Sequence, residues 1–314
     1  MRYKIYVDGQ HGTTGLRVHE YLERHPHVEV LQIDFEQRRD QKVRAARMNE
    51  ADLVVLCLPE AGSREAVGLV ENPRTKIIDA STEFRTNDQW AYGLPELSPF
   101  QREKVRSSNR VSVPGCHASA AILALGPLVR EGIVPEDYPV SIHSITGYSG
   151  GGKQMIHDYE QEAIKGFELP RPYALGLAHK HLPEMKKFIG LAKNPIFMPI
   201  VGNFYKGLAV TIPLRADLLA EAKSRRGLYD FLSATYGDEP FVEVVDPDDD
   251  SRFLLGTFLV DGCNDTNRAE IFILGNDETP MLVCRLDNLG KGASGAAIQN
   301  MNLMLDLPET TGLV

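Results

Sequence analysis

The feature that most constrains this chain lies at its start. A short apolar run, Tyr3–Val7, ends in Gly9-x-x-Gly12-x-x-Gly15 and leads into a helical pattern with Val18, Tyr21 and Leu22 on one face. A strand that passes through a glycine-rich turn into a helix opens a βαβ unit. Further strands are expected at Val28–Ile33, Leu53–Leu58, Lys76–Ala80 and Val111–Val113, with helical segments between them, so the first third predicts a parallel sheet. Leu53–Leu58 is apolar throughout, as a strand covered on both faces requires.

After about residue 138 the pattern changes. Val140–Thr146, Phe197–Val201, Leu208–Leu214, Phe241–Val245, Arg268–Leu274 and Met281–Leu286 read as strands, the last two flanking the hairpin turn Gly275–Glu278. A helix is expected from about Asp217 to Tyr236, and a final one from about Lys291, with Ala297, Met301, Met304 and Leu305 as its apolar stripe. This is α+β sequence with a mixed sheet. Asp246–Asp250 reads as a solvated loop, without a calcium-loop pattern.

The glycine loop, GxxGxxG rather than the usual GxGxxG, is a phosphate-cradle candidate. Glycines let the backbone approach a pyrophosphate, and the helix that follows presents unpaired N–H groups and a partial positive charge. After the second strand, Asp34 stands where a carboxylate would accept the ribose 2′-OH of NAD, whereas Arg38 and Arg39 would hold the 2′-phosphate of NADP. The residues alone leave both open.

Charge and cysteine content narrow the chemistry. With 34 basic and 43 acidic residues in 314, the formal charge is −9, which disfavours nucleic acid and anionic membranes as partners. The four cysteines, at 57, 116, 263 and 284, form no CxxC, so neither a disulfide scaffold nor a zinc ribbon is expected. With no signal-peptide pattern and no membrane-length apolar run, the expected location is the cytoplasm.

Cys116 stands apart. A strand ends at Pro114-Gly115 and a helix begins at once, with Ile122, Leu125, Leu128 and Val129 on one face. A helix start stabilises a thiolate and makes it a nucleophile. Cys57 and Cys284 fall in apolar strands and read as inert, and Cys263 falls in a polar turn. His179-Lys180-His181-Leu182-Pro183-Glu184 leads into a helix at Pro183 and offers a general acid/base. No second His or Cys cluster completes a metal set, so no metal is expected. His25, His27 and His157 are expected at the surface or in caps.

Together these motifs resemble the N-acetyl-γ-glutamyl-phosphate reductase family in its shorter form. The resemblance runs through Gly9–Gly15, Ile78–Arg85, Tyr92–Leu97, Pro114–Cys116, Thr146–Lys153, His179–Glu184, Asp287–Gly295 and Gln299–Met304. Lys153 stands where many relatives carry arginine, and His117-Ala118 where others carry an aromatic residue and proline.

The resemblance implies a Rossmann dinucleotide-binding domain plus a semialdehyde-dehydrogenase-like α+β catalytic and oligomerisation domain. The expected division is residues 1–115 with 288–314, and residues 116–287. It implies NADP as cofactor and a small-molecule acyl phosphate as substrate. Cys116 would form a thioester that accepts hydride, with His179, then His181 and Glu184, handling protons. The implied cofactor contacts are Gly9, Gly12, Thr13, Thr14, Gly15, Arg38, Arg39, Leu58, Pro59, Ser81, Asn288 and Lys291. The implied substrate contacts are Arg85, Ser149, Gly150, Lys153, Tyr173 and Lys206. A homodimer or homotetramer is expected. Aspartate-semialdehyde dehydrogenase and the aminoadipyl-phosphate relative share this logic, and one methylene in a pocket is worth only about 1–3 kcal/mol. A Cys–His hydrolase would give the glycine loop no role, and a nucleotide-sensing module would give Cys116 none.

Overall fold

The computed structural model describes residues 2–161, 166–221 and 223–313. It divides into two compact units, Met1–Pro114 with Ala293–Val314, and Gly115–Gly292.

The first unit contains β1 (Tyr3–Asp8), α1 (Thr13–Arg24), β2 (Val28–Leu31), α2 (Gln41–Glu50), β3 (Leu53–Leu56) and α3 (Glu60–Leu69). It continues with β4 (Lys76–Asp79), β5 (Ala91–Tyr92), α4 (Pro99–Ser107) and β6 (Arg110–Ser112). These strands form one parallel sheet in the order β2-β1-β3-β4-β6-β5. All four residues of β3 are buried, which accounts for its unbroken apolar sequence. Tyr6, Met48, Leu56, Ile77 and Trp90 belong to the core on one side of the sheet. β1 lies between β2 and β3, so the chain leaves its carboxyl end at the point where strand order reverses, the place where open α/β sheets bind ligands. β3 is shorter than expected. The strand ends at Leu56, although Cys57 N–H still donates to Asp8 C=O at 2.8 Å.

The second unit contains α5 (Cys116–Arg130), β7 (Ser141–Gly147), α6 (Gly152–Glu160), β8 (Arg171–Pro172), α7 (Leu182–Ile189), β9 (Ile196–Gly202) and β10 (Leu208–Pro213). It continues with α8 (Arg225–Tyr236), β11 (Val242–Val244), β12 (Phe253–Leu254), β13 (Thr257–Phe258), β14 (Ala269–Gly275) and β15 (Pro280–Leu286). Its main sheet, β11-β14-β15-β10-β7-β9-β8, is mixed: β7/β9 and β11/β14 are parallel and the other pairs antiparallel. α5 is buried from His117 to Val129 and packs on β10, β15 and α7. A helix apolar on all sides is a core helix. The chain then returns to the first unit as α9 (Gly295–Met304), which packs on α1, α4 and β4.

Several expectations change. The helix expected over 217–236 begins only at Arg225, where the Ser224 hydroxyl accepts from Gly227 N–H at 3.1 Å; Ala216–Leu218 is a single 3-10 turn. Residue 222 of that expected span lies outside the described residues. The final α-helix begins at Gly295, because Gly290–Ser294 forms a π-turn. A Cβ on Gly290 would lie 2.3 Å from Thr266 C=O, and one on Gly292 2.6 Å from Cys116 Cβ, so close backbone approach sets this turn. Asn288–Gly292, expected in the cofactor domain, fall in the second unit, where Asn288 Oδ1 accepts from Gly207 N–H. His25 is buried and bonds Asn302 Oδ1 at 3.0 Å, and Cys263 is wholly buried beneath its turn. Among the described residues no helix is long and apolar enough to cross a membrane.

Candidate active site

The first unit carries the cofactor cleft. Gly9 has φ +85°, and a Cβ there would sit 2.3 Å from Cys57 C=O; one on Gly15 would sit 2.3 Å from Gly9 C=O. Both positions therefore exclude any side chain. Gly12 is the N-cap of α1 and supplies no side-chain cap. The first N–H groups of α1 are thus presented without a competing side-chain oxygen, as an anion site needs. The Thr13 hydroxyl beside them is buried and without a hydrogen-bond partner among the described residues. These features fit a dinucleotide pyrophosphate.

A cleft of about 500 Å³ opens from this loop, lined by Gly9, Gly12, Leu58, Arg38 and Arg39 among others. The Arg38 guanidinium stacks on Phe35 at 3.4 Å from the ring centroid and donates to Phe35 C=O. Asp34 caps the short turn Phe35–Gln37 without a side-chain cap bond. Arg44, which sequence reasoning missed, is buried in the cleft wall and bonds Asp8 at 2.8 Å and Glu65 at 2.9 Å. Pro59 caps α3, and the Ser81 hydroxyl donates to the buried Asp79 carboxylate at 2.7 Å. Burial raises the Asp79 pKa, opposed by the hydrogen bonds from Ser81. Arg85 also belongs to this unit, donating to Val113 C=O at 2.9 Å and Ala80 C=O at 3.4 Å, so it ties strand ends together. Thr14 C=O accepts from Ser294 at 3.2 Å.

The second unit carries Cys116, the candidate nucleophile. Cys116 is the first residue of α5, after Gly115 in extended backbone with no side-chain cap. Gly115 N–H donates to the buried Glu184 carboxylate at 3.1 Å, which fixes the turn before the sulfur. Gly292 closes against Cys116 Cβ from the other side. The other thiols are poor nucleophiles. Burial pushes Cys57 and Cys263 up to about 12, and raises Cys284 as well.

His179 and His181 lie together, with ring centroids 4.6 Å apart, and both contact His117, at 5.7 and 5.5 Å. His181 N–H donates to His179 Nδ1 at 3.1 Å, so the neutral His179 ring carries its hydrogen on Nε2. Burial, helped by His179 and Lys180, pulls His117 down to about 3, so it is neutral at pH 7. Its Nδ1 meets Ser144 Oγ at 2.8 Å and its Nε2 meets Tyr173 Oη at 2.9 Å. Among the described residues no group of three or more His, Cys, Asp or Glu side chains is arranged to hold a metal.

The remaining expected contacts fall on two sides. Ser149 is buried in the turn Tyr148–Gly151, where its Oγ accepts from Asn288 Nδ2 at 2.9 Å; Gly150 and Lys153 are exposed on the same segment. Asn288 thus braces the Tyr148–Gly151 turn of the second unit. Lys206 is committed to Asp265 and lies 4.0 Å from Asp287. Lys291 is buried, with Nζ 5.7 Å from the Phe241 ring, in the interior of the second unit.

Comparison with known proteins bears on both units. The chain matches the family "Semialdehyde dehydrogenase, NAD binding domain" over residues 4–106 and "Semialdehyde dehydrogenase, dimerisation domain" over residues 116–288. It is 43% identical to N-acetyl-gamma-glutamyl-phosphate reductase 2 of Nostoc sp., over 99% of each chain. It is 42% identical to the N-acetyl-gamma-glutamyl-phosphate reductase of Chelativorans sp., over 97% of this chain and 99% of that one. In fold it resembles aspartate semialdehyde dehydrogenase II of Vibrio cholerae, with TM-score 0.73 and 14% identity over 98% of this chain and 99% of that one. The enzyme from Candida albicans, solved with NADP, gives TM-score 0.67 at 16% identity over 97% and 99%. A nucleotide-binding cleft, a helix-start cysteine and these relatives agree: the chain belongs to the semialdehyde dehydrogenases and, within them, to the N-acetyl-γ-glutamyl-phosphate reductase family.

Proposed function

We propose that the protein catalyses the NADPH-dependent reductive dephosphorylation of N-acetyl-γ-glutamyl phosphate to N-acetylglutamate semialdehyde. The observation that carries the reading is Cys116 at the uncapped start of a buried helix, with the Gly115 turn held by Glu184. Helix N–H groups favour the thiolate over the thiol there. The thiolate forms an S–C bond to the acyl carbon, and the C–O bond to phosphate breaks with its electron pair on the phosphate. The departing phosphate takes up a proton, which His179 supplies in its imidazolium form before water returns one to the ring. Gly9, Gly12 and Gly15 would hold a reduced nicotinamide cofactor, which when bound would supply the hydride that reduces the Cys116 thioester. The backbone N–H groups at the start of α5 stabilise the resulting oxyanion. Its collapse breaks the C–S bond, returns the thiolate and releases the aldehyde.

Ser149, whose Oγ already accepts from Asn288, has its own hydrogen to give to a substrate oxygen, and Lys153 offers a point charge to the phosphate or carboxylate. For the cofactor, Arg38 and Arg39 line the cleft, which supports NADP over NAD. The match to a dimerisation domain and the part-exposed Ile145, Met198 and Ile200 on one sheet face support a homo-oligomer. Four free thiols fit a reducing cytoplasm.

The test is a panel of N-acetylglutamate, aspartate and N-acetylaminoadipate semialdehydes, each oxidised with phosphate and either NADP or NAD. The expected result is highest kcat/KM with N-acetylglutamate semialdehyde and NADP. A preference for either other aldehyde refutes the substrate, and a preference for NAD refutes the reading of the arginines.

A further inference from the structure

The residue after the nucleophile has no role in the chemistry above, yet both its ring nitrogens are engaged. His117 is almost wholly buried on the first turn of α5, against Phe197 at 5.2 Å between ring centroids. Hydrogen-bond directions follow from one end of a chain of contacts. The Ser144 hydroxyl lies 3.1 Å from Ala209 C=O, and a carbonyl only accepts, so the single Ser144 hydrogen points at Ala209. Ser144 Oγ is then an acceptor toward His117 Nδ1 at 2.8 Å, which places the imidazole hydrogen on Nδ1. His117 Nε2 keeps its lone pair and takes the Tyr173 hydroxyl hydrogen at 2.9 Å.

We propose that His117 is a positioning residue that acts through Tyr173: it holds the Tyr173 hydroxyl hydrogen, so Tyr173 presents only an acceptor oxygen to the site. Tyr173 stands beside His179, with ring centroids 5.7 Å apart. Burial and the charge of Cys116 both raise its pKa, so it remains a phenol whose hydrogen is already placed. An oxygen of this kind binds N–H donors and repels phosphate, carboxylate and carbonyl oxygens. In an N-acylated amino acid the matching group is the amide N–H. This deepens the proposed function and rests on it for the identity of the substrate. The earlier expectation that Tyr173 contacts substrate is thereby given a polarity.

Two measurements test it. The first needs no substrate: with ¹⁵N-labelled histidine, the His117 signals are assigned by their loss in His117→Phe, and the tautomer is read from the ring nitrogen shifts. Hydrogen on Nδ1 is expected. Hydrogen on Nε2 overturns the proposal, because Tyr173 would then donate elsewhere. The second follows phosphate-dependent oxidation of N-acetylglutamate semialdehyde. His117→Phe and Tyr173→Phe are each expected to raise KM about tenfold while kcat changes less than about threefold, as loss of one binding hydrogen bond predicts. The double variant should be no worse than the worse single one. Additive effects, or a fall in kcat at unchanged KM, overturn the proposal. If the unaltered enzyme ignores this aldehyde, the substrate assignment fails, while the tautomer measurement still decides the relay.

Discussion

The starts of α1 and α5 are built from the same backbone. Each helix follows a glycine in extended conformation, Gly12 at φ −76°, ψ 165° and Gly115 at φ −74°, ψ 146°, and neither glycine supplies a side-chain cap. Both present the positive end of a helix. They differ in what stands around them. At α1 the first residue is Thr13, and the neighbouring cleft carries Arg38 and Arg39. At α5 the first residue is Cys116, the helix is buried, and Glu184 holds the preceding N–H. A helix start is a general site for negative charge. On the proposed function, the first would take an anion that arrives with the cofactor, and the second, one made from the chain itself.

That contrast can be broken in order of effect. Cys116→Ser should lower kcat by at least about 10³-fold while leaving the NADPH Kd within about twofold, because only the second helix start loses its anion. A parallel loss of NADPH binding would mean that the two sites are not separate. Replacing Arg38 and Arg39 together by alanine should lower kcat/KM for NADPH about 10²-fold and leave that for NADH unchanged, since charge-assisted bonds to a phosphate are lost. Equal losses with both cofactors would assign the pair to general folding. Gly9→Ala and Gly292→Ala make a matched pair, with added Cβ atoms 2.3 Å from Cys57 C=O and 2.6 Å from Cys116 Cβ. The first should weaken NADPH binding about tenfold, and the second should lower kcat about tenfold at unchanged NADPH Kd. The reverse pattern would exchange the roles of the two helix starts. Finally, iodoacetamide at pH 8 should label Cys116 and spare the others in the native protein. Cys57 and Cys263, pushed up to about 12, remain protonated at that pH, and Cys284 is raised too. Comparable labelling of Cys57 would contradict this selectivity.

The parts legible in the sequence are those set by local backbone. The glycine loop and Cys116 each announce themselves within a few residues, because a strand-to-helix turn has its own residue requirements. The β14–β15 hairpin, with Gly275 paired to Pro280, is legible for the same reason. What was not legible depends on distant partners. His117 meets Ser144 and Tyr173, which lie 27 and 56 residues away, so its adjacency to Cys116 was visible but its bonds were not. Arg44 reads as a charged helix residue until the fold brings it to Asp8, 36 residues back. Lys291 reads in sequence as a polar residue opening a helix, and its burial beside Phe241 depends on a residue 50 positions back.

The central claim is that the carbon skeleton of the substrate passes through a bond to Cys116. Mass spectrometry of the protein after brief exposure to N-acetyl-γ-glutamyl phosphate without NADPH tests it most directly. The account predicts one N-acetylglutamyl group on the peptide carrying Cys116, discharged as the semialdehyde when NADPH is added. No adduct at Cys116 while turnover proceeds, or an adduct on another residue that discharges at the same rate, would contradict it.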